Sequence, residues 1–89
     1  MAQKQLTIIN KLGLHARATA KLVTLVSPYK SDILIQLGDK SANAKSMMSV
    51  MMLAAAQGCT LSLTITGDDE KECLIAIAEL INNRFGEAE

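Results

Sequence analysis

A histidine and an arginine two residues apart are the side chains of this sequence best suited to chemistry. His15 is the only histidine in the chain, and Arg17 follows it in the stretch 13–20, GLHARATA. A polar stretch precedes them and a helical pattern follows, so both residues fall at a predicted helix start. Free N–H groups at a helix N-terminus attract anions, and a neutral imidazole is a competent nucleophile. The stretch therefore predicts a phosphoryl acceptor, with Arg17 and the backbone N–H groups of Ala16, Arg17 and Ala18 around the phosphate. A purely structural His15 remains the alternative.

The sequence shows no partner group for a catalytic cycle on a small substrate. It has no second histidine, no obvious acid–base pair and no glycine-rich P-loop. One nucleophile beside an anion site is typical of a carrier, and a hydrolase would require a second catalytic group. Cys59 and Cys73 lack the spacing of a zinc site, so we expect no metal, no cofactor and two free thiols.

Length and charge narrow the class of protein further. The 89 residues suit a single domain, 1–89, and nine basic residues balance nine acidic ones. The lysines are scattered, which argues against nucleic-acid binding. The longest apolar runs fall well short of the roughly 20 residues that span a bilayer, and residues 1–5 do not resemble a signal peptide. We expect a cytoplasmic, monomeric protein that is not attached to a membrane.

The hydrophobic spacing predicts the element order β-α-β-β-α-β-α. The expected strands are 4–9, 33–37, 40–44 and 60–66, and the expected helices begin near 16, 47 and 70. The strands alternate apolar and polar residues, which predicts one antiparallel sheet with helices on its apolar face, an α+β fold.

Several residues predict where helices begin and end. Ser46 is placed to cap the second helix, and Gly58 to adopt positive φ beyond its end. Asp69 with Glu72 resembles a capping box for the last helix, and Arg84 is expected in its final turn.

The second helix has too many apolar faces for a small open sheet to bury. Val50, Leu53 and Ala54 are predicted to point to one side of this helix. The opposite side is predicted to carry Met47, Met48, Met51 and Met52. We call these four residues the methionine face, and we expect it to be exposed as a docking surface because methionine adapts to differently shaped partners. Methionines that simply fill the core are the alternative.

Two motifs make the sequence resemble a known family. The stretch 13–20, GLHARATA, resembles the active-site motif of HPr, the histidine-containing phosphocarrier of the bacterial phosphotransferase system. The stretch 43–53, NAKSMMSVMML, resembles the second-helix region of that family with its regulatory serine, and 83–87, NRFGE, resembles the ending of many proteobacterial members. The similarity covers essentially the whole chain.

The resemblance implies an open-faced β-sandwich, in which a four-stranded antiparallel sheet is covered on one face by three helices. It implies that His15 accepts a phosphoryl group on Nδ1 from enzyme I and passes it to an enzyme IIA domain, with Arg17 stabilising the group. The methionine face, together with Thr19 and Ala20, would dock both partners. Ser46 would be the site of HPr kinase/phosphorylase.

One residue departs from the family pattern. The family usually has proline where this chain has Ala18, although alanine also occurs there. Proline fixes φ and removes an N–H in the first helical turn, so Ala18 adds a donor and gives up some rigidity. The motifs do not separate the sugar-transport branch from the nitrogen-regulatory branch. A non-catalytic adaptor that binds a regulator through Met47, Met48 and Met51 remains the alternative function.

Overall fold

The structure is a computed structural model that describes residues 1–89, and its core is a four-stranded antiparallel sheet. The strands are β1 (Ala2–Thr7), β2 (Asp32–Leu37), β3 (Lys40–Asn43) and β4 (Thr60–Thr66), in the spatial order β1-β4-β2-β3. The register pairs apolar residues on one face, for example Leu6 with Leu61 and Ile35 with Leu63. The predicted sheet is confirmed, although β1 begins and ends two residues earlier than expected.

Three helices cover the apolar face of this sheet. They are α1 (Ala16–Val26), α2 (Met47–Met52) and α3 (Glu70–Asn82), followed by a short 3₁₀ turn, Arg84–Gly86. A single hydrophobic core forms between the helices and the sheet, and it includes Leu22, Val50 and Ile77. The opposite face of the sheet carries exposed polar residues such as Gln5 and Gln36. The predicted α+β architecture with element order βαββαβα is confirmed. No helix is both long enough and apolar enough to cross a bilayer.

The end of α2 differs from the prediction. The helix stops at Met52, and the residue with positive φ beyond it is Ala54 (φ 52°), not Gly58. Gly58 does have positive φ (92°), but it lies in the turn before β4. The chain leaves the helix early because the carbonyl of Ala55 accepts a hydrogen bond from the Leu14 N–H (2.9 Å). Ala54 is consequently exposed and does not share the buried side of Val50 and Leu53.

The predicted capping box of α3 is wrong. Asp69 makes no side-chain cap bond; its carboxylate instead accepts from the backbone N–H groups of Lys30 (2.8 Å) and Ser31 (3.0 Å) and from the Ser31 hydroxyl. These bonds, the Ser31 hydroxyl foremost, lower the pKa of Asp69. The carboxylate of Glu70, rather than that of Glu72, accepts the Gly67 N–H (3.2 Å). Asp69 therefore fastens the start of β2 to the start of α3.

The chain after α3 does not continue as a helix. Arg84 lies in the 3₁₀ turn rather than in the last turn of α3, and Arg84 and Phe85 both have φ 55°. Phe85 is fully buried. The turn sends the last residues back across the molecule toward the loop before α1.

Candidate functional site

His15 lies at the N-terminus of α1, as predicted, but its side chain does not cap the helix. Its backbone is extended (φ −74°, ψ 177°), and its side chain makes no cap hydrogen bond. The first helical bond runs from the Thr19 N–H to the His15 carbonyl (2.9 Å). The N–H groups of Ala16, Arg17 and Ala18 therefore have no acceptor within the protein, and they are available to an anion beside the ring.

The loop before His15 is held against the segment that follows α2. Gly13 has positive φ (65°), and a Cβ there would lie 2.5 Å from the Ala55 carbonyl oxygen. The side-chain amide of the buried Asn10 donates to the Gly13 carbonyl (2.9 Å). Only glycine permits both the backbone angle and this close approach, so Gly13 fixes the path of the chain into His15.

Glu87, near the C-terminus, is the residue that sequence reasoning missed. Its carboxylate contacts Nε2 of His15 and also accepts from the Asn10 amide (3.0 Å). These bonds, with that to His15 foremost, lower the pKa of Glu87, so the group is a carboxylate. A carboxylate only accepts hydrogen bonds, so the hydrogen lies on Nε2 and the lone pair of a neutral ring on Nδ1. His15 and Glu87 are 72 residues apart, and no local pattern links them.

Arg17 is exposed and lines the same depression as His15. The depression has a volume of about 300 Å³, and its other lining residues are Lys11, Leu12, Glu87 and Glu89. Arg17 makes no ion pair within the protein. The predicted pair of a nucleophile and a free cation is therefore brought together at one open site.

The methionine face is exposed, as predicted. The exposed fractions of the side chains of Met48 and Met52 are each 70%, and Val50 on the other side of α2 is fully buried. Helix α2 packs beside α1, the helix that begins at His15. The interpretation of these methionines as core residues is wrong.

The two predicted docking residues on α1 differ in their exposure to solvent. Ala20 is exposed and lies in a groove with Arg17. Thr19 is fully buried, and its hydroxyl donates to the Leu14 carbonyl (3.2 Å). Thr19 cannot contact a partner and is removed from the docking surface, because its short side chain turns inward to hold the loop.

Ser46 caps α2, as predicted. Its hydroxyl oxygen accepts from the Ser49 N–H (3.3 Å) and contacts the Ser49 hydroxyl (3.0 Å). Ser46 is half-buried, next to Met47.

Comparison with known proteins identifies the family of this chain. The family model described as the PTS HPr component phosphorylation site matches residues 2–83. The chain belongs to the HPr family. It is 51% identical to the phosphocarrier protein HPr of Cupriavidus necator, over the whole of both chains. It is 43% identical to the phosphocarrier protein NPr of Shewanella violacea, over 97% of this chain and 94% of that one.

Solved HPr structures share the fold. The crystal structure of HPr-C-His from Thermoanaerobacter tengcongensis is 40% identical and superposes with a TM-score of 0.96 over the whole of both chains. The open-faced β-sandwich that the family resemblance implies is thus confirmed. The protein is a phosphocarrier of the phosphotransferase system.

Proposed function

We propose that this HPr-family protein accepts a phosphoryl group on Nδ1 of His15 from phosphorylated enzyme I and passes it to a histidine of an enzyme IIA domain. The observation that carries the proposal is the His15 ring itself. Its Nε2 is bound by Glu87, while Nδ1 keeps a lone pair beside three free backbone N–H groups and Arg17. That arrangement suits a ring that receives and releases an anion.

The transfer needs little from the protein beyond position and charge. The Nδ1 lone pair attacks phosphorus, the bond from phosphorus to the donor atom of enzyme I breaks, and its electron pair stays on that donor atom. The Arg17 guanidinium and the N–H groups of Ala16, Arg17 and Ala18 would bind the phosphoryl oxygens. The same steps in reverse deliver the group to enzyme IIA, so the protein acts as a relay and not as an enzyme with turnover of its own.

The methionine face and Ala20 are proposed to dock both partner proteins. Four exposed methionines on α2, which packs beside α1, offer an adaptable apolar surface. Ser46 lies beside this face, and a phosphate on it would add about two negative charges where the partners dock. We therefore propose that HPr kinase/phosphorylase, where present, acts on Ser46 to weaken docking. The carrier is proposed to work as a cytoplasmic monomer.

The test is incubation with phosphoenolpyruvate and purified enzyme I, followed by mass spectrometry. We expect one phosphate that is labile in acid and stable in base, and none in His15→Ala. A phosphorylated His15→Ala protein would overturn the assignment.

A serine-phosphorylated form that binds enzyme I as tightly as the unmodified protein would contradict the role of Ser46. Sedimentation analysis tests the monomer.

The exposed methionine face also favours a second candidate, a non-catalytic adaptor that binds a regulator while His15 is unused. The two functions differ in a cell that lacks the native gene. If His15→Ala restores the cellular role and Met48→Asp does not, the adaptor is correct. The carrier requires both variants to fail, His15→Ala through chemistry and Met48→Asp through docking.

A further inference from the structure

The C-terminal tail, residues 84–89, forms one wall of the phosphoryl-acceptor site. The backbone N–H of Lys11 donates to the Glu89 carbonyl, and the Lys11 ammonium lies 3.3 Å from the Glu89 carboxylate. Two residues before Glu89, Glu87 bridges Asn10 and His15. The tail is thus laid along the loop that leads into α1. The family match ends at residue 83, before these contacts begin.

The tail is fixed in place by the turn that precedes it. Phe85 is fully buried, and the Lys21 ammonium donates to its carbonyl. Arg84 and Phe85 both occupy the left-handed region, which non-glycine residues adopt only where their surroundings hold them. The position of Glu87 is therefore imposed by the core and by Lys21 rather than by its own side-chain contacts alone.

The carboxylate of Glu87 is also held in one orientation. One oxygen accepts from Asn10 (3.0 Å) and the other contacts Nε2 of His15. The amide nitrogen of Asn10 is fixed in turn because it donates to both Glu87 and the Gly13 carbonyl, while its buried oxygen has no partner. If the Asn10 amide were flipped, its oxygen would face two acceptors, the Gly13 carbonyl and the Glu87 carboxylate. The hydrogen bonds thus allow only one orientation of the Asn10 amide.

We propose that Glu87 is a positioning residue for phosphoryl transfer. Its carboxylate holds the His15 ring as the Nε2–H tautomer, which keeps the lone pair on Nδ1, and it stabilises the positive charge that the ring gains when Nδ1 bonds to phosphorus. The Nε2 proton stays on the ring throughout, and the electron pair of the broken bond stays on the donor atom of enzyme I. The transfer part of this inference rests on the proposed function; the tautomer does not.

The chain supplies a matched control for the experiment. Glu87→Gln and Glu89→Gln make the same chemical change two residues apart in the same tail, but only Glu87 contacts His15. The ¹⁵N chemical shifts of the His15 ring report the tautomer in the unphosphorylated protein. We expect the Nε2–H form in the wild type and in Glu89→Gln. In Glu87→Gln we expect a mixture of tautomers, because an amide can present either its oxygen or its nitrogen to the ring.

The second readout is the initial rate of phosphorylation by enzyme I. Loss of a charge-assisted hydrogen bond predicts a rate about tenfold lower in Glu87→Gln, and an unchanged rate is expected in Glu79→Gln, an exposed glutamate of α3 outside the site. Wild-type melting temperatures in both variants would exclude unfolding as the cause. An equal fall in rate in the two variants would overturn the proposal.

The ring shifts decide the proposal separately from the proposed function. Unchanged shifts in Glu87→Gln overturn it, whatever the rate. If the wild type takes up no phosphate while the shifts of Glu87→Gln move as expected, the proposed function fails and the assignment of Glu87 to the His15 tautomer is supported.

Discussion

The N-termini of α1 and α2 share an extended residue before the helix but differ in what the side chain of that residue contacts. His15 and Ser46 both occupy the position before the first helical residue with an extended backbone. Ser46 uses its side chain to satisfy the Ser49 N–H. His15 turns its side chain to Glu87 and leaves the N–H groups of its helix without partners.

This difference separates a stabilising residue from the proposed phosphoryl acceptor. A cap that satisfies its helix contributes to stability, whereas a free helix N-terminus keeps donors available for a ligand at some cost in stability. The α1 start therefore depends on other parts of the chain for its geometry: the Gly13 loop, the Thr19 bond to Leu14, and the tail. Each of the following substitutions tests one side of this contrast.

Gly13→Ala is expected to have the largest effect on stability. The substitution places a side chain at positive φ and drives Cβ into the backbone of Ala55 and Ala56, so we expect the free energy of unfolding to fall by about 3 kcal/mol. Gly38→Ala is the matched control, since its φ is also positive (62°) but its Cβ would meet nothing within 4 Å. It should cost about 1 kcal/mol. Urea unfolding measures both, and equal costs would mean that the close approach to Ala55 is unimportant.

The two cap residues are compared directly by alanine substitution. Ser46→Ala removes the bond from the Ser49 N–H and should lower the free energy of unfolding by about 1 kcal/mol, without preventing phosphorylation of His15. His15→Ala removes no cap bond and only a partly exposed contact, so we expect about 0.5 kcal/mol or less. Thermal or urea unfolding distinguishes them. A cost for His15→Ala as large as that for Ser46→Ala would identify His15 as a structural residue.

Ala18→Pro should have a small effect of the opposite sign. The Ala18 N–H has no partner within the protein, so the ring removes no internal hydrogen bond, and its fixed φ should raise the free energy of unfolding by about 0.4–1 kcal/mol. Ala20→Pro, two residues later, loses a helical bond to the Ala16 carbonyl and should cost about 3 kcal/mol.

The phosphorylation rate of Ala18→Pro then reports how much the third free donor contributes to the site. A loss of stability in Ala18→Pro would show that the buried Ala18 side chain leaves no room for the ring.

Much of this protein follows from local sequence. Alternation with period two places Leu61, Leu63 and Ile65 on the buried face of β4, and helical spacing leaves Met48 exposed because α2 has a second apolar side to bury. Ser46 caps its helix because a serine just before a helical run bonds to an N–H three residues away. The motif at His15 and Arg17 indicates the chemistry for the same reason, since its parts are neighbours in the chain.

Only the tertiary structure decided which residues complete the site. Glu87 reaches His15 because a buried phenylalanine and a left-handed turn bring the tail across the molecule, and Thr19 is withdrawn from the surface by a bond to the loop. The Asp69 carboxylate accepts the Ser31 N–H instead of capping α3. Helix α2 ends early, and the Ala55 carbonyl beyond it accepts the Leu14 N–H. Each of these outcomes depends on how segments of the chain pack against one another in the folded protein. Local sequence patterns describe only contacts between near neighbours along the chain, so they do not determine these outcomes.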